Sequence, residues 1–103
     1  MSWSRISAEV ASTLIAERSP AIVDVRDPLS FSNGHLPGAL LLDNQSVREF
    51  IETTDKATPL LVYCYHGNSS QGASAWLTEQ GFTEVYSLDG GFEFWKLQGA
   101  VER

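Results

Sequence analysis

Short β-like runs alternate with helical segments along this chain, and a few residues join each to the next. That alternation limits the fold more than any other feature. Two parallel strands need a crossover between them, and a helix is the usual crossover. The pattern predicts an α/β domain with a central, mostly parallel five-stranded sheet flanked by helices. The strand-like runs are Ser4–Ile6, Ala21–Val25, Ala39–Asp43, Pro59–Cys64 and Glu84–Ser87. Ala21–Val25 and Pro59–Cys64 are short, apolar runs of the kind buried on both faces of a parallel sheet.

The helical segments fall between them. Ser7 is an N-cap candidate for a helix over Ala8–Arg18, with Val10, Ala11, Leu14 and Ile15 on one face. Arg26–Gly38 is rich in turn residues and reads as a loop with one helical turn at Leu29–Asn33. Asp43 or Asn44 could cap a helix running to Thr53, with Val47, Phe50 and Ile51 facing inward. Gln71–Gln80 reads as a helix ended by Gly81, and Phe92–Leu97 as a last helix after the turn "DGGF". Phe92 and Trp95 read as packing residues.

The 103 residues predict a single domain spanning 1–103. Such a domain buries roughly 60–70% of the surface its unfolded chain exposes. Apolar residues make up 43%, enough for one core. A lone cysteine cannot form an internal disulfide and lends no support to secretion. The start, "MSWSRISAEVASTL", lacks a signal-peptide pattern, and no run approaches the ~20 apolar residues of a membrane span. The expected location is cytoplasmic, away from membranes. The formal charge of −6 argues against a nucleic-acid partner. One Cys and two His, at no recognised ligand spacing, predict no metal site.

The chemistry concentrates in "LLVYCYHGNSSQGASAWL". Cys64 ends the most strand-like run, and ligands in parallel sheets sit at such strand ends, beside helix N-termini. A cysteine there can be a buried small hydrophobe. A packing cysteine, however, needs no glycine turn and no cluster of polar donors after it. Gly67 permits positive φ, and Asn68 tolerates it. A loop of that kind can turn several N–H groups toward one point. Asn68 or Ser69 can cap the following helix, and Asn68 with Gln71 has capping-box spacing. The helix N-terminus adds about half a positive charge aimed at the same place. An ordinary thiol, with a pKa of about 8.5, is only a few per cent thiolate at neutral pH. Lowering that value by about two units needs about 2.7 kcal/mol, within reach of several N–H donors. Cys64 is therefore the candidate nucleophile, in an anion cradle formed by Tyr65, His66, Gly67, Asn68, Ser69 and Ser70.

Three separated stretches, "IVDVRDPLSFSNGHLPGAL", "VYCYHGNSSQGASAWL" and "SLDGGFEFW", resemble the rhodanese superfamily, and most of all its single-domain GlpE-type thiosulfate sulfurtransferases. The resemblance runs over about Ile6 to Trp95. It implies a rhodanese-like fold and a cysteine, matching Cys64, that carries one extra sulfur as a persulfide. The implied reaction is ping-pong. The Cys64 thiolate takes the outer sulfur of thiosulfate and releases sulfite, then yields that sulfur to cyanide or a thiol. The acceptor could also be thioredoxin or another protein, and no cofactor is implied. Many rhodaneses carry an Arg five residues after the cysteine, where this chain has Ser69. The anion cradle then rests on backbone N–H groups, Ser69 and Ser70 hydroxyls and His66, and weak thiosulfate binding is expected.

Arg26, after Asp24 at a strand end, has two readings: positive charge lent to the site, or a scaffold ion pair. His35 reads as a hydrogen-bonded structural residue. His66 either contributes to the cradle or faces solvent. A phosphatase or arsenate reductase on a related scaffold would need a loop one residue longer, closing on an Arg that can grip a tetrahedral oxyanion with two hydrogen bonds. Ser70 occupies that position. A non-catalytic binding module of the same fold is a second rival, which retention of the cysteine and the glycine turn opposes.

Overall fold

The computed structural model describes residues 2–103. Five strands, β1 (Trp3–Ile6), β2 (Ala21–Asp24), β3 (Leu40–Leu41), β4 (Leu60–Tyr63) and β5 (Val85–Leu88), alternate with five helices. The helices are α1 (Ala8–Arg18), α2 (Pro28–Asn33), α3 (Val47–Thr53), α4 (Ser69–Glu79) and α5 (Gly91–Trp95). The sheet order is β1-β5-β4-β2-β3, and every pairing between these strands is parallel. An isolated antiparallel bridge joins His35 to Glu102.

β4 lies at the centre, and its side chains alternate between the faces, as the two-residue strand period requires. Leu61 and Tyr63 join Ala8, Ala11, Leu88, Phe92 and Trp95 in the cluster under α1 and α5. Leu60 and Val62 join Phe50, Leu77, Phe82 and Val85 in the cluster under α3 and α4. Phe92 and Trp95 thus pack, as expected. The face expected for α1 is partly displaced: Ala8 and Ala11 are buried, and Val10 is exposed.

Several boundaries depart from the sequence expectation, each for a local reason. The third strand shrinks to Leu40–Leu41. The following helix starts at Val47 because Asp43 holds a turn first: its carboxylate accepts from the amides of Gln45 (2.9 Å) and Ser46 (3.0 Å). α2 is longer than one turn. Asp27 caps it by accepting from the Ser30 amide, and Pro28 suits a first helical position. α4 begins at Ser69, two residues before the expected start. The Asn68–Gln71 capping box does not form. Asn68 already has helical backbone angles and makes no side-chain cap, and the Gln71 amide group donates to the Gly67 carbonyl at 2.9 Å instead.

Candidate active site

Cys64 follows β4 at the carboxyl end of the sheet, and Gly67 and Ser70 wrap its sulfur. The amides of both residues donate to Sγ at 3.2 Å. Ser70 is the second residue of α4, so its amide is one of the N–H groups a helix leaves unpaired at its start. The sulfur takes the place that a capping side chain would hold. This is the physical reason Asn68 need not cap. The N-terminus of an eleven-residue helix thereby points its partial positive charge at the thiol.

Gly67 is required twice. Its φ of 95° lies in the left-handed region, and an added Cβ would meet the Gly90 nitrogen at 2.9 Å. The loop therefore packs directly on the turn after β5. From that turn, the amides of Phe92 and Glu93 donate to the carbonyls of Cys64 (2.8 Å) and Tyr65 (3.0 Å). A trans peptide holds its C=O and N–H on opposite sides. Drawing these carbonyls toward α5 turns the next N–H groups the other way. The His66 amide is one of the groups that stabilise the thiolate.

Burial pushes the Cys64 thiol up. The Ser70 hydroxyl and the amides of Ser70, Gly67 and His66 outweigh it, and the pKa falls below the ordinary thiol value. Cys64 keeps 4% of its surface exposed, so the sulfur is recessed in its loop.

The remaining loop side chains divide by position. Ser70 is fully buried, with Oγ 3.4 Å from the sulfur and 2.8 Å from Ser87 Oγ. Tyr65, His66, Asn68 and Ser69 are exposed. The Tyr65 hydroxyl donates to Asp27 and lies 2.6 Å from Ser30 Oγ, tying the loop to the start of α2. Hydrogen bonds from the Tyr65 hydroxyl, the Ser30 amide and the Ser30 hydroxyl lower the Asp27 pKa to about 2.

Arg26 reaches under the same region. Its side chain and that of Asp24 are almost wholly buried, and they pair through Nη2–Oδ2 at 2.7 Å and Nε at 3.1 Å from both oxygens. Nη2 also donates to the Gly34 carbonyl at 2.7 Å. The guanidinium carbon sits 4.2 Å from the Phe92 ring centroid and 5.7 Å from that of Tyr65. Arg26, Ser30, Tyr65, Phe92, Glu93 and Lys96 form much of the wall of a cleft of about 370 Å³ beside the loop. His35 lies away from the sulfur: Nδ1 is 2.7 Å from the Phe31 carbonyl, and the ring stacks on Phe31 at 3.9 Å. Among the described residues, no group of three or more His, Cys, Asp or Glu is arranged to hold a metal ion.

Sequence reasoning did not reach Ser87 or the turn at Gly90–Phe92. "DGGF" read only as a turn, although two adjacent glycines also mark a close backbone approach. Ser87 carried a fainter signal: a small polar residue two positions after Val85, on an inward-facing strand position.

A parallel-sheet protein with one recessed thiol, held by main-chain amides between a strand end and a helix start, is a cysteine-loop protein of α/β class. The chain belongs to the rhodanese family: the family model for the rhodanese-like domain matches residues 7–98. A Pseudomonas putida relative named thiosulfate sulfurtransferase GlpE is 52% identical over 100 residues, covering 97% of this chain and 91% of the relative. One of the same name from Stutzerimonas stutzeri is 61% identical over 75 residues, covering 73% and 69%. Among solved structures, the rhodanese-like domain of an Anabaena sp protein superposes with a TM-score of 0.84 at 27% identity, covering 95% of this chain and 77% of that one. A rhodanese-related protein from Thermoplasma volcanium gives 0.80 at 24% identity, covering 96% and 97%, and supports the fold.

Proposed function

We propose that this chain is a thiosulfate sulfurtransferase working through a Cys64 persulfide. The observation that carries the reading is the pair of 3.2 Å amide contacts on Sγ, in a chain whose near relatives bear that name. The thiolate attacks the outer sulfur of thiosulfate. A new S–S bond forms, the old one breaks, and sulfite leaves with its electron pair. Cyanide or a thiolate then attacks the outer persulfide sulfur, and Cys64 leaves as thiolate. The loop of Tyr65, His66, Gly67, Asn68, Ser69 and Ser70 stabilises the anion at each stage, chiefly through its N–H groups. Arg26, its charge balanced by Asp24, supports the loop from beneath through the Tyr65 and Phe92 rings.

The reaction needs neither metal nor organic cofactor. Thioredoxin or another protein is an acceptor class alongside small thiols. The exposed rings of Tyr65 and Phe94 favour a protein acceptor, because they border the loop and the turn it packs on. A single rhodanese domain working in the cytoplasm completes the reading. No helix among the described residues is long and apolar enough to cross a membrane.

Intact-mass measurement tests the mechanism. Incubation with thiosulfate should add the mass of one sulfur atom, and cyanide should remove it. An adduct on Cys64→Ser, or none on the native chain, overturns the mechanism.

A further inference from the structure

Ser87 stands in β5, paired in register with Val62 of β4 on one side and Arg5 of β1 on the other. Its side chain is fully buried. Its hydroxyl lies 2.8 Å from Ser70 Oγ, which lies 3.4 Å from the Cys64 sulfur. We propose that Ser87 is a positioning residue for sulfur transfer: it sets the direction of the Ser70 hydroxyl and so favours the thiolate of Cys64. The inference rests on Cys64 being the nucleophile.

A hydroxyl has one proton to give and can also accept. While Cys64 is a thiol, its S–H donates to Ser70 Oγ, and Ser70 can pass its own proton toward Ser87. A thiolate can only accept. Ser70 must then turn its proton to the sulfur, and its oxygen is free to accept from Ser87. The three groups form a chain pointing at the charge. A bond next to an ionised group is stronger than the same bond between neutral groups, and each link polarises the next. The Ser87 hydroxyl therefore contributes more to the thiolate arrangement than to the thiol arrangement. Full burial of Ser70 and Ser87 keeps water from replacing the lost link.

Charged groups on the surrounding elements do not supply this effect. Arg26 is committed to Asp24 and Gly34, Glu93 to Lys96, and Asp89 to Arg5. His66 is exposed in the loop and reaches the site through its amide.

The experiment measures iodoacetamide alkylation of the single cysteine across pH, in Ser87→Thr, Ser87→Val and Ser87→Ala. Thr and Val have nearly the same shape and differ in the hydroxyl, so their comparison separates hydrogen bonding from packing. Ser87→Thr should titrate like the native chain. Ser87→Val and Ser87→Ala should move the midpoint upward and slow alkylation below it about threefold, the rate equivalent of half a pKa unit. The alkaline plateau should not change. In a Ser70→Ala background, Ser87→Val should add little beyond Ser87→Thr, because the link it acts through is gone. Equal midpoints for Thr and Val overturn the proposal, as does a full Val effect without the Ser70 hydroxyl. If the bulkier Thr and Val do not fold at this fully buried position, Ser87→Ala still decides, and a native midpoint in it overturns the proposal. Failure of the sulfurtransferase reading would show separately, as no mass gain with thiosulfate while these titrations still shift.

Discussion

The amide of Phe92 donates to the carbonyl of Cys64 at 2.8 Å, so the start of α5 holds the first peptide of the Cys64 loop. Gly91, which precedes Phe92, makes that approach possible. Its φ is 58°, and a Cβ there would lie 2.4 Å from the Tyr65 carbonyl oxygen and 2.6 Å from that of Cys64. Gly91→Ala should destabilise the protein by about 2–4 kcal/mol, through backbone strain and displacement of the loop. It should also raise the Cys64 pKa toward the ordinary value. Urea denaturation and thiol titration check the two effects; a variant native in both would remove the turn from the site's architecture.

The depressed Cys64 pKa makes stability depend on pH in a defined direction. Between the folded value and the ordinary thiol value, the unfolded chain binds more protons than the folded one, so stability rises with pH. The contribution is complete above the ordinary value and lost as pH falls through the folded value. Denaturation midpoints measured across that window should climb for the native chain and flatten for Cys64→Ala. A parallel climb in both would assign the pH dependence elsewhere.

Tyr65 and Asp27 offer a second titration. Loss of the phenolic donor in Tyr65→Phe should move Asp27 from about 2 toward its ordinary 3.8. Because the native value is lowered, the carboxylate's stabilising contribution is present above the ordinary value and lost as pH falls toward 2. Acid sensitivity should therefore be smaller in the variant over that range. NMR titration of the Asp27 carboxyl reads the shift directly, and an unmoved carboxyl would show that the Ser30 amide and hydroxyl hold it without Tyr65.

Asp24 and Arg26 form a buried pair whose members cannot be removed one at a time at low cost. Asp24→Asn leaves the guanidinium without its counter-charge and should cost about 3–5 kcal/mol. Combining it with Arg26→Met should cost less than the two single changes added together. Urea denaturation of the four forms gives the coupling; strict additivity would mean the pair does not act as a unit.

The sequence made much of this site legible because its signals are local. A run of β-branched and apolar residues marks a strand within a few positions, and a glycine followed by Asn and Ser marks a turn into a helix. Cys64 at that junction could therefore be placed at the carboxyl end of a parallel sheet beside a helix start. Arg26 could not be resolved the same way. "DVR" is compatible with a free charge or a neutralised one, and only the buried 2.7 Å contact to Asp24 selects between them. The capping box was also a local signal, but it failed: the Gln71 amide it needs donates to the Asn68 carbonyl at 3.1 Å, and the Gln71 side chain is drawn to the Gly67 carbonyl.

By itself, then, the sequence determined the alternation of strands and helices, the thiol at the end of the most strand-like run, and the glycine that lets its loop turn. Tertiary structure alone decided what braces that loop from behind. Strand order puts β5 beside β4, which brings Ser87 to Ser70 and the Gly90–Phe92 turn onto the loop. Backbone periodicity and turn preference act over a few residues. The contacts that brace the loop and orient the Ser70 hydroxyl join Ser70 to Ser87, Cys64 to Phe92 and Tyr65 to Glu93, far apart in the chain, where no local pattern reaches.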